Sequence, residues 1–291
     1  MYARVRVPGS CGELVQGLWE DRDLLISCPI DRYSEARVSI MRDSSEITGT
    51  VSRPKALQAV KKVLSILDCR HGATVEIYSQ LVPGKGLASS TADIAAAAWA
   101  TGLALGTLLS PRQIADIAIS IEPSDGTFFT GLCLFDYLKG DIQQPLGNPP
   151  AMGILTIDLG GVIDTINFNM NPDLPKKKLQ KKKVTEQAFK LAIEGIKENS
   201  PAKLGKAATL SALANQSILP KYNLERLIEL VERYDGYGVV AAHSGTVVGV
   251  LFDNNDDSIF WHKMIKKNIK GSVLYPNAKL IGGGLEVMAA G

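Results

Sequence analysis

The stretch Pro83-Gly84-Lys85-Gly86-Leu87-Ala88-Ser89-Ser90-Thr91 lies between a strand-like segment, ATVEIYS, and TADIAAAAWATGLALG, a run of small, helix-forming side chains. Glycines permit tight turns, and the helix that follows presents unpaired N–H groups at the positive end of its dipole. Strand, glycine turn and helix in that order make a place for phosphate. The stretch does not fit G-x-x-x-x-G-K-S/T, and its glycines do not have the spacing of a dinucleotide fingerprint. Ser89 and Ser90 add hydroxyls that can ligate Mg²⁺ or bond phosphate oxygens, and either also suits a plain N-cap. The alanines at 95 to 98 point to close packing of the helix against a neighbour.

Working outward, Leu57, Val60, Leu64 and Leu67 recur at helical spacing, and Val75 and Ile77 alternate as in a strand. Residues 3–7 also alternate, and the turn-forming run Pro8-Gly9-Ser10-Cys11-Gly12 is expected to break that strand into a loop before Glu13. Downstream, Ser110-Pro111 reads as an N-cap and first helical residue, with Ile114, Ile117 and Ile121 as the apolar stripe and Glu122-Pro123 as the stop. QQPLGNPP reads as a loop, and the domain division is placed there, giving 1–148 and 149–291. The second half has an α+β pattern. It has the strand MGILTIDLGG, capped helices at Thr185, Ser200-Pro201 and Asn223, and two strands around a turn at Ser244-Gly245. A helix near Trp261 to Lys267 and a strand near Val273 follow.

Composition narrows the function classes. Lys+Arg 32 against Asp+Glu 30 leaves a net charge of +2, too balanced to make nucleic acid or an anionic membrane a default partner. No stretch reaches the roughly 20 apolar residues of a membrane span, and no leader is evident. The four cysteines form no C-x-x-C pair and the three histidines no metal spacing, so reduced thiols and a cytoplasmic location are expected. Lysines 176–178 and 181–183 read as a solvated loop or helix start. Cys11 reads as a packed thiol, and His243 as part of a turn.

Three stretches resemble the GHMP kinases, a superfamily of small-molecule kinases. The family's P-x-x-x-G-L-G-S-S-A motif is met by Pro83, Gly86, Leu87, Ser89 and Ser90, with Ala88 and Thr91 departing from it. Its N-terminal P-G element is met by Pro8-Gly9 and its third glycine motif, loosely, by His243-Ser244-Gly245-Thr246. VPGSCGELVQG looks most like the branch that phosphorylates L-threonine for the aminopropanol linker of cobalamin.

The resemblance implies an α+β, two-domain fold: an N-terminal ATP-binding domain with a left-handed βαβ unit and a ferredoxin-like C-terminal domain. It implies MgATP as donor, with Pro83, Gly84, Lys85, Gly86, Leu87, Ala88, Ser89, Ser90 and Thr91 around the nucleotide. Ser90 and Glu122 are then the Mg²⁺ ligands, and Asp125 is the base or the group that orients the acceptor. For a small hydroxylated amino acid, Glu13 suits the ammonium, while Ser10 and the N–H groups around Gly12 suit the carboxylate or the nucleotide. Homoserine or an isoprenoid alcohol is the rival acceptor. A catalytically silent nucleotide-binding regulator and a lysine-run nucleic-acid binder are rival classes. The oligomeric state is left open, a homodimer among the options.

Overall fold

The computed structural model describes residues 1–50, 52–161, 172–254 and 258–291. Its spine is a long antiparallel hairpin of β1 (Tyr2–Trp19) and β2 (Arg22–Met41), in register from Tyr2 opposite Ser39 to Trp19 opposite Arg22. The expected loop at Pro8–Gly12 is instead carried inside β1. Register shifts between Pro8 and Ser10, Ser10 and Glu13, and Glu13 and Val15 absorb the misfit residues, as bulges do.

Beyond β2 lie β4 (Gly72–Ser79) and β3 (Ile47–Gly49), which run parallel to each other and are joined through helix α1 (Pro54–Ile66). β5 (Leu132–Asp136) pairs with β2 through Leu24 and Leu25, and β6 (Gln143–Gly147) pairs with β5. QQPLG is therefore a strand, not the expected loop. β5 supplies its ladder partners, and Pro145 is tolerated on this outer strand beside a register shift.

Among the described residues the second half runs as a strand, three helices, two strands, a helix and a further strand. It comprises β7 (Met152–Asp158), α4 (Leu174–Lys197), α5 (Pro201–Asn215), α6 (Leu224–Arg233), β8 (Gly238–Ala241), β9 (Val247–Asp253), α7 (Ser258–Asn268) and β10 (Val273–Leu274). Short strands β11 (Ala278–Lys279) and β12 (Glu286–Ala290) close on β7 and β1. The strands line up as β10-β7-β9-β8-β1-β2-β4-β3, so one sheet runs through both halves.

Between strands β4 and β5 run two more helices, α2 (Ser89–Ala104) and α3 (Pro111–Ile119). Ala95, Ala96, Ala97 and Ala98 are all fully buried where α2 lies against α1 and the β1–β2 hairpin, as their small size requires. Ser110 and Gln113 form the reciprocal cap of α3. That helix ends at Ile119, before the Glu122-Pro123 stop. Phe189, Ala192, Leu204 and Ala207 of α4 and α5 pack on Leu14, Val15 and Ile26 of the hairpin.

Thr185 does not begin a helix. It lies inside α4, where its hydroxyl donates to the carbonyl of Leu18 at 3.0 Å. The lysine run forms the first turns of α4, and only part of it is solvated. Lys178 meets Asp23 at 2.5 Å and the Tyr137 hydroxyl at 3.0 Å, and Lys182 meets Asp21 at 2.7 Å. Asn223 occupies the N-cap position of α6, but its side chain makes no capping bond. Among the described residues no helix is long and apolar enough to cross a membrane.

Candidate active site

The glycine loop is held between two neighbours, and the backbone does most of the holding. From β1, the N–H of Ser10 donates to the carbonyl of Leu87 at 3.0 Å and that of Gly12 to Gly86 at 3.1 Å. From the β8–β9 turn, the N–H groups of Thr246 and Val247 both donate to the carbonyl of Lys85, at 2.9 and 3.0 Å. Gly86 has φ +88°, and a Cβ built on it would lie 2.3 Å from Ala242 Cβ; one on Gly245 would lie 2.4 Å from Gly86 Cα. The two glycines allow the loop and the turn to touch.

This arrangement corrects one expectation. The amides of Ser10 and Gly12 are committed to the loop and are not free for a ligand. Ser10 is fully buried, and its hydroxyl has no partner among the described residues. Lys85 is likewise engaged, 2.8 Å from Asp158 and 2.7 Å from the carbonyl of Gly161. Burial alone would raise the pKa of Asp158, but hydrogen bonds from Lys85 and Thr246 hold it below its ordinary value.

At the loop's end the N-cap position of α2 is Ala88, in the left-handed region at φ 52°, with no side-chain cap. Neither Ser89 nor Ser90 is the N-cap. The Ser90 hydroxyl instead donates to Glu122 Oε1, while Glu122 Oε2 lies 2.5 Å from Lys55 Nζ, on the first turn of α1. Two oxygen ligands suited to a hard cation thus meet at the amino end of a helix. No group of three or more His, Cys, Asp or Glu among the described residues could hold a metal. The hard oxygens of Ser90 and Glu122 are of the kind that Mg²⁺ takes.

The same short loop brings Asp125 to a different wall. Its N–H donates to Thr91 Oγ1 at 3.1 Å, and its carboxyl lies 3.4 Å from the Ser27 hydroxyl. Asp125 is half-buried, with protein crowding the carboxyl. Loss of water, followed by the negative charge of Glu13, raises its pKa well above the ordinary carboxylate value.

Glu13 is 5% exposed and sits opposite Ser27 and Ala241 in the sheet. Its Oε2 accepts the His243 N–H at 2.7 Å and faces His243 Nδ1 at 3.1 Å. The Ala241 carbonyl also lies 3.1 Å from Nδ1, so two acceptors assign the ring proton to that nitrogen. Ser211 accepts from the Gln16 N–H at 3.1 Å and, 2.9 Å from Nε2, donates to the ring. His243 therefore clamps Glu13, a role richer than the expected turn chemistry.

Of the expected residues, the fold brings Ser90 and Glu122 together and Asp125 beside Glu13, and it turns the Ser10 and Gly12 amides to structural use. Lys55, Thr91, Ser27 and Ser211 escape sequence reasoning in these roles, since nothing local marks them. Cys11 is fully buried and its pKa is pushed up to about 12, chiefly by burial, as suits a packed thiol.

An α+β chain whose glycine loop ends at a helix terminus beside a hydroxyl–carboxylate pair suits a small-molecule kinase, and comparison with known proteins identifies its family. Residues 54–131 match the GHMP kinases N terminal domain and residues 192–270 the GHMP kinases C terminal. The chain belongs to the GHMP kinase family. It is 36% identical to an L-threonine kinase of Salmonella typhimurium, over 88% of this chain and 85% of that one. It is 33% identical to an L-threonine kinase of Citrobacter freundii, over 98% and 99%. Among solved structures, homoserine kinase from Cytophaga hutchinsonii superposes with TM-score 0.73 at 16% identity, covering 99% of this chain and 97% of that one. Mevalonate diphosphate decarboxylase from Staphylococcus aureus gives TM-score 0.73 at 14% identity, covering 99% of each. At such identities these two speak for the fold alone.

Proposed function

We propose that the protein transfers the γ-phosphoryl group of ATP to the hydroxyl of L-threonine, giving ADP and O-phospho-L-threonine. One observation carries the reading: the loop after α3 delivers Glu122 to the Ser90 hydroxyl at the helix terminus and, three residues on, Asp125 to the wall beside Glu13. The kinship to two L-threonine kinases supports the choice of acceptor.

In this reading the amino end of α2 receives the phosphates through the first-turn amides of residues 89–91. Ser90 and Glu122 would hold Mg²⁺, which supplies charge neutralisation to the triphosphate when bound. Glu13, fixed by His243, faces the threonine ammonium. That positive charge offsets the repulsion between Glu13 and Asp125, lowering the pKa of Asp125 toward its task. Asp125 takes the hydroxyl proton as the threonine oxygen bonds to the γ-phosphorus, and the bond from that phosphorus to the leaving ADP oxygen breaks. Alignment and charge stabilisation supply most of the rate. A cytoplasmic setting belongs to the same reading, supported by four unpaired cysteines. A role in cobalamin assembly is supported by the form of VPGSCGELVQG alone.

An ADP-release assay across threonine, serine, homoserine and mevalonate tests the reading. Threonine is expected to give the highest kcat/KM. No turnover of threonine alongside turnover of another acceptor would overturn the assignment.

A further inference from the structure

The turn that clamps Glu13 also holds a second charge for which the mechanism above has no use. Lys221 lies in the connection between α5 and α6, which Gln216 folds inward. The Lys221 N–H donates to Gln216 Oε1 at 2.6 Å, and Gln216 Nε2 donates back to the Lys221 carbonyl at 3.2 Å. The residue is 6% exposed, and its ammonium donates to the carbonyl of Gly245. An ammonium has three protons to give. Among the described residues Gly245 is the one hydrogen-bond acceptor it meets, and no carboxylate forms an ion pair with it. Burial lowers its pKa to about 8, with the charge of Glu13 acting in the opposite sense.

A buried cation with no carboxylate bonded to it is costly in a finished structure. Gly245 and His243 are two residues apart on one turn, and that turn rests on the glycine loop. One turn therefore binds an anion, Glu13, through His243 and a cation, Lys221, through Gly245, and rests on the phosphate loop. A free amino acid is the complement of that pair, carrying an ammonium and a carboxylate on one carbon. The backbone amides of Ser10 and Gly12, the other candidates for the carboxylate, are already bonded to the loop.

We propose that Lys221 receives the carboxylate of the amino-acid acceptor while Glu13 receives its ammonium, making Lys221 the residue that separates amino acids from neutral alcohols. The proposal rests on the threonine reading above and adds a residue to it.

The test compares wild type, Lys221→Met and Lys221→Arg on L-threonine and on 1-amino-2-propanol, which keeps the hydroxyl and ammonium but lacks the carboxylate. Wild type is expected to favour threonine strongly. Lys221→Met should lose roughly 10- to 100-fold in kcat/KM on threonine, mostly through KM, the scale of one lost charge-assisted bond. Its loss on 1-amino-2-propanol should be several-fold smaller, the KM for ATP should stay within about twofold, and Lys221→Arg should recover part of the threonine loss. Equal losses on both acceptors, or a loss that appears in the KM for ATP, would overturn the proposal. So would a wild-type enzyme that uses the two acceptors equally well, a result that needs no variant to fold. A wild type inert to threonine but active on another alcohol would instead defeat the acceptor reading, and this proposal with it.

Discussion

Glu122 and Asp125 are three residues apart on one loop, yet their surroundings are opposite. Glu122 is bracketed by donors, with the Ser90 hydroxyl on one oxygen and the Lys55 ammonium on the other. Asp125 has one weak donor, Ser27, and two acidic neighbours, Glu13 and Glu122, and among the described residues no cation pairs with its carboxyl. The loop thus sorts two chemically similar groups by what it places around them. One is bonded on both oxygens beside a helix terminus, and the other is crowded by protein and by acids that push its pKa up.

The sharpest way to break this contrast is to remove the charge of the crowded carboxyl. Asp125→Asn should lower kcat roughly 10²- to 10⁴-fold, the usual range for a positioned acid–base group. The stability effect should run the other way. The folded pKa of Asp125 lies above its unfolded one, so the stability it contributes is present at acid pH and lost as pH climbs through the folded value. The Asn variant escapes that loss. Its Tm should exceed that of wild type, by about 2–4 °C per kcal/mol recovered, with the gap widening as pH rises in calorimetric scans. An inactive variant that is also less stable at alkaline pH would mean that Asp125 is not strained by its surroundings.

Glu122→Gln tests the other side. It should cost roughly 10- to 10³-fold in kcat, as loss of a transition-state charge partner does, and should raise the Mg²⁺ concentration needed for half-maximal rate. Ser90→Ala should move the same magnesium titration by less. A magnesium dependence unchanged in both variants would remove the ligand role and erase the distinction between the two acids.

Much of this contrast is legible in the amino-acid sequence, but unevenly. The 83–91 loop and Ser110-Pro111 announce themselves because glycine, serine and proline have local backbone meanings. The strand β1 does not, since Pro8 to Gly12 looks like a turn until a neighbouring strand supplies a ladder that bulges can accommodate. Thr185 and QQPLG mislead for the same reason: a cap or a loop is a local signal, overruled here by packing of α4 on the hairpin and by the partner strand β5. Lys55, Ser211 and Lys221 are illegible. Each acts on a residue 24 to 67 positions away in sequence, and a lone lysine or serine on a helix or connection carries no mark of where its head group ends.

His243 gives a smaller handle on the comparison, because it fixes Glu13 and through it the surroundings of Asp125. His243→Ala releases Oε2 of Glu13 from the ring while leaving the backbone N–H bond in place. The expected result is a rise of about tenfold in KM for threonine, near the lower worth of one hydrogen bond to a charged group, with kcat changed less. A variant that lost kcat and KM for ATP alike would have damaged the turn as a whole, and His243 would then be structural.

Lys55 should give the smallest effect, and its size is informative. Its side chain is 38% exposed, so water already screens its 2.5 Å pair with Glu122, and exposed pairs are worth about 1 kcal/mol or less. Lys55→Met should therefore change kcat/KM by no more than roughly fivefold, and added salt should mimic part of the loss in wild type. The Ser90 hydroxyl would still hold Oε1, keeping Glu122 at the helix terminus. If Lys55→Met instead matched Glu122→Gln in magnitude, the lysine would have to act on the phosphates directly. Glu122 would then serve to aim a cation as well as to bind one, and the two acids of the loop would differ in their partners more than in their roles.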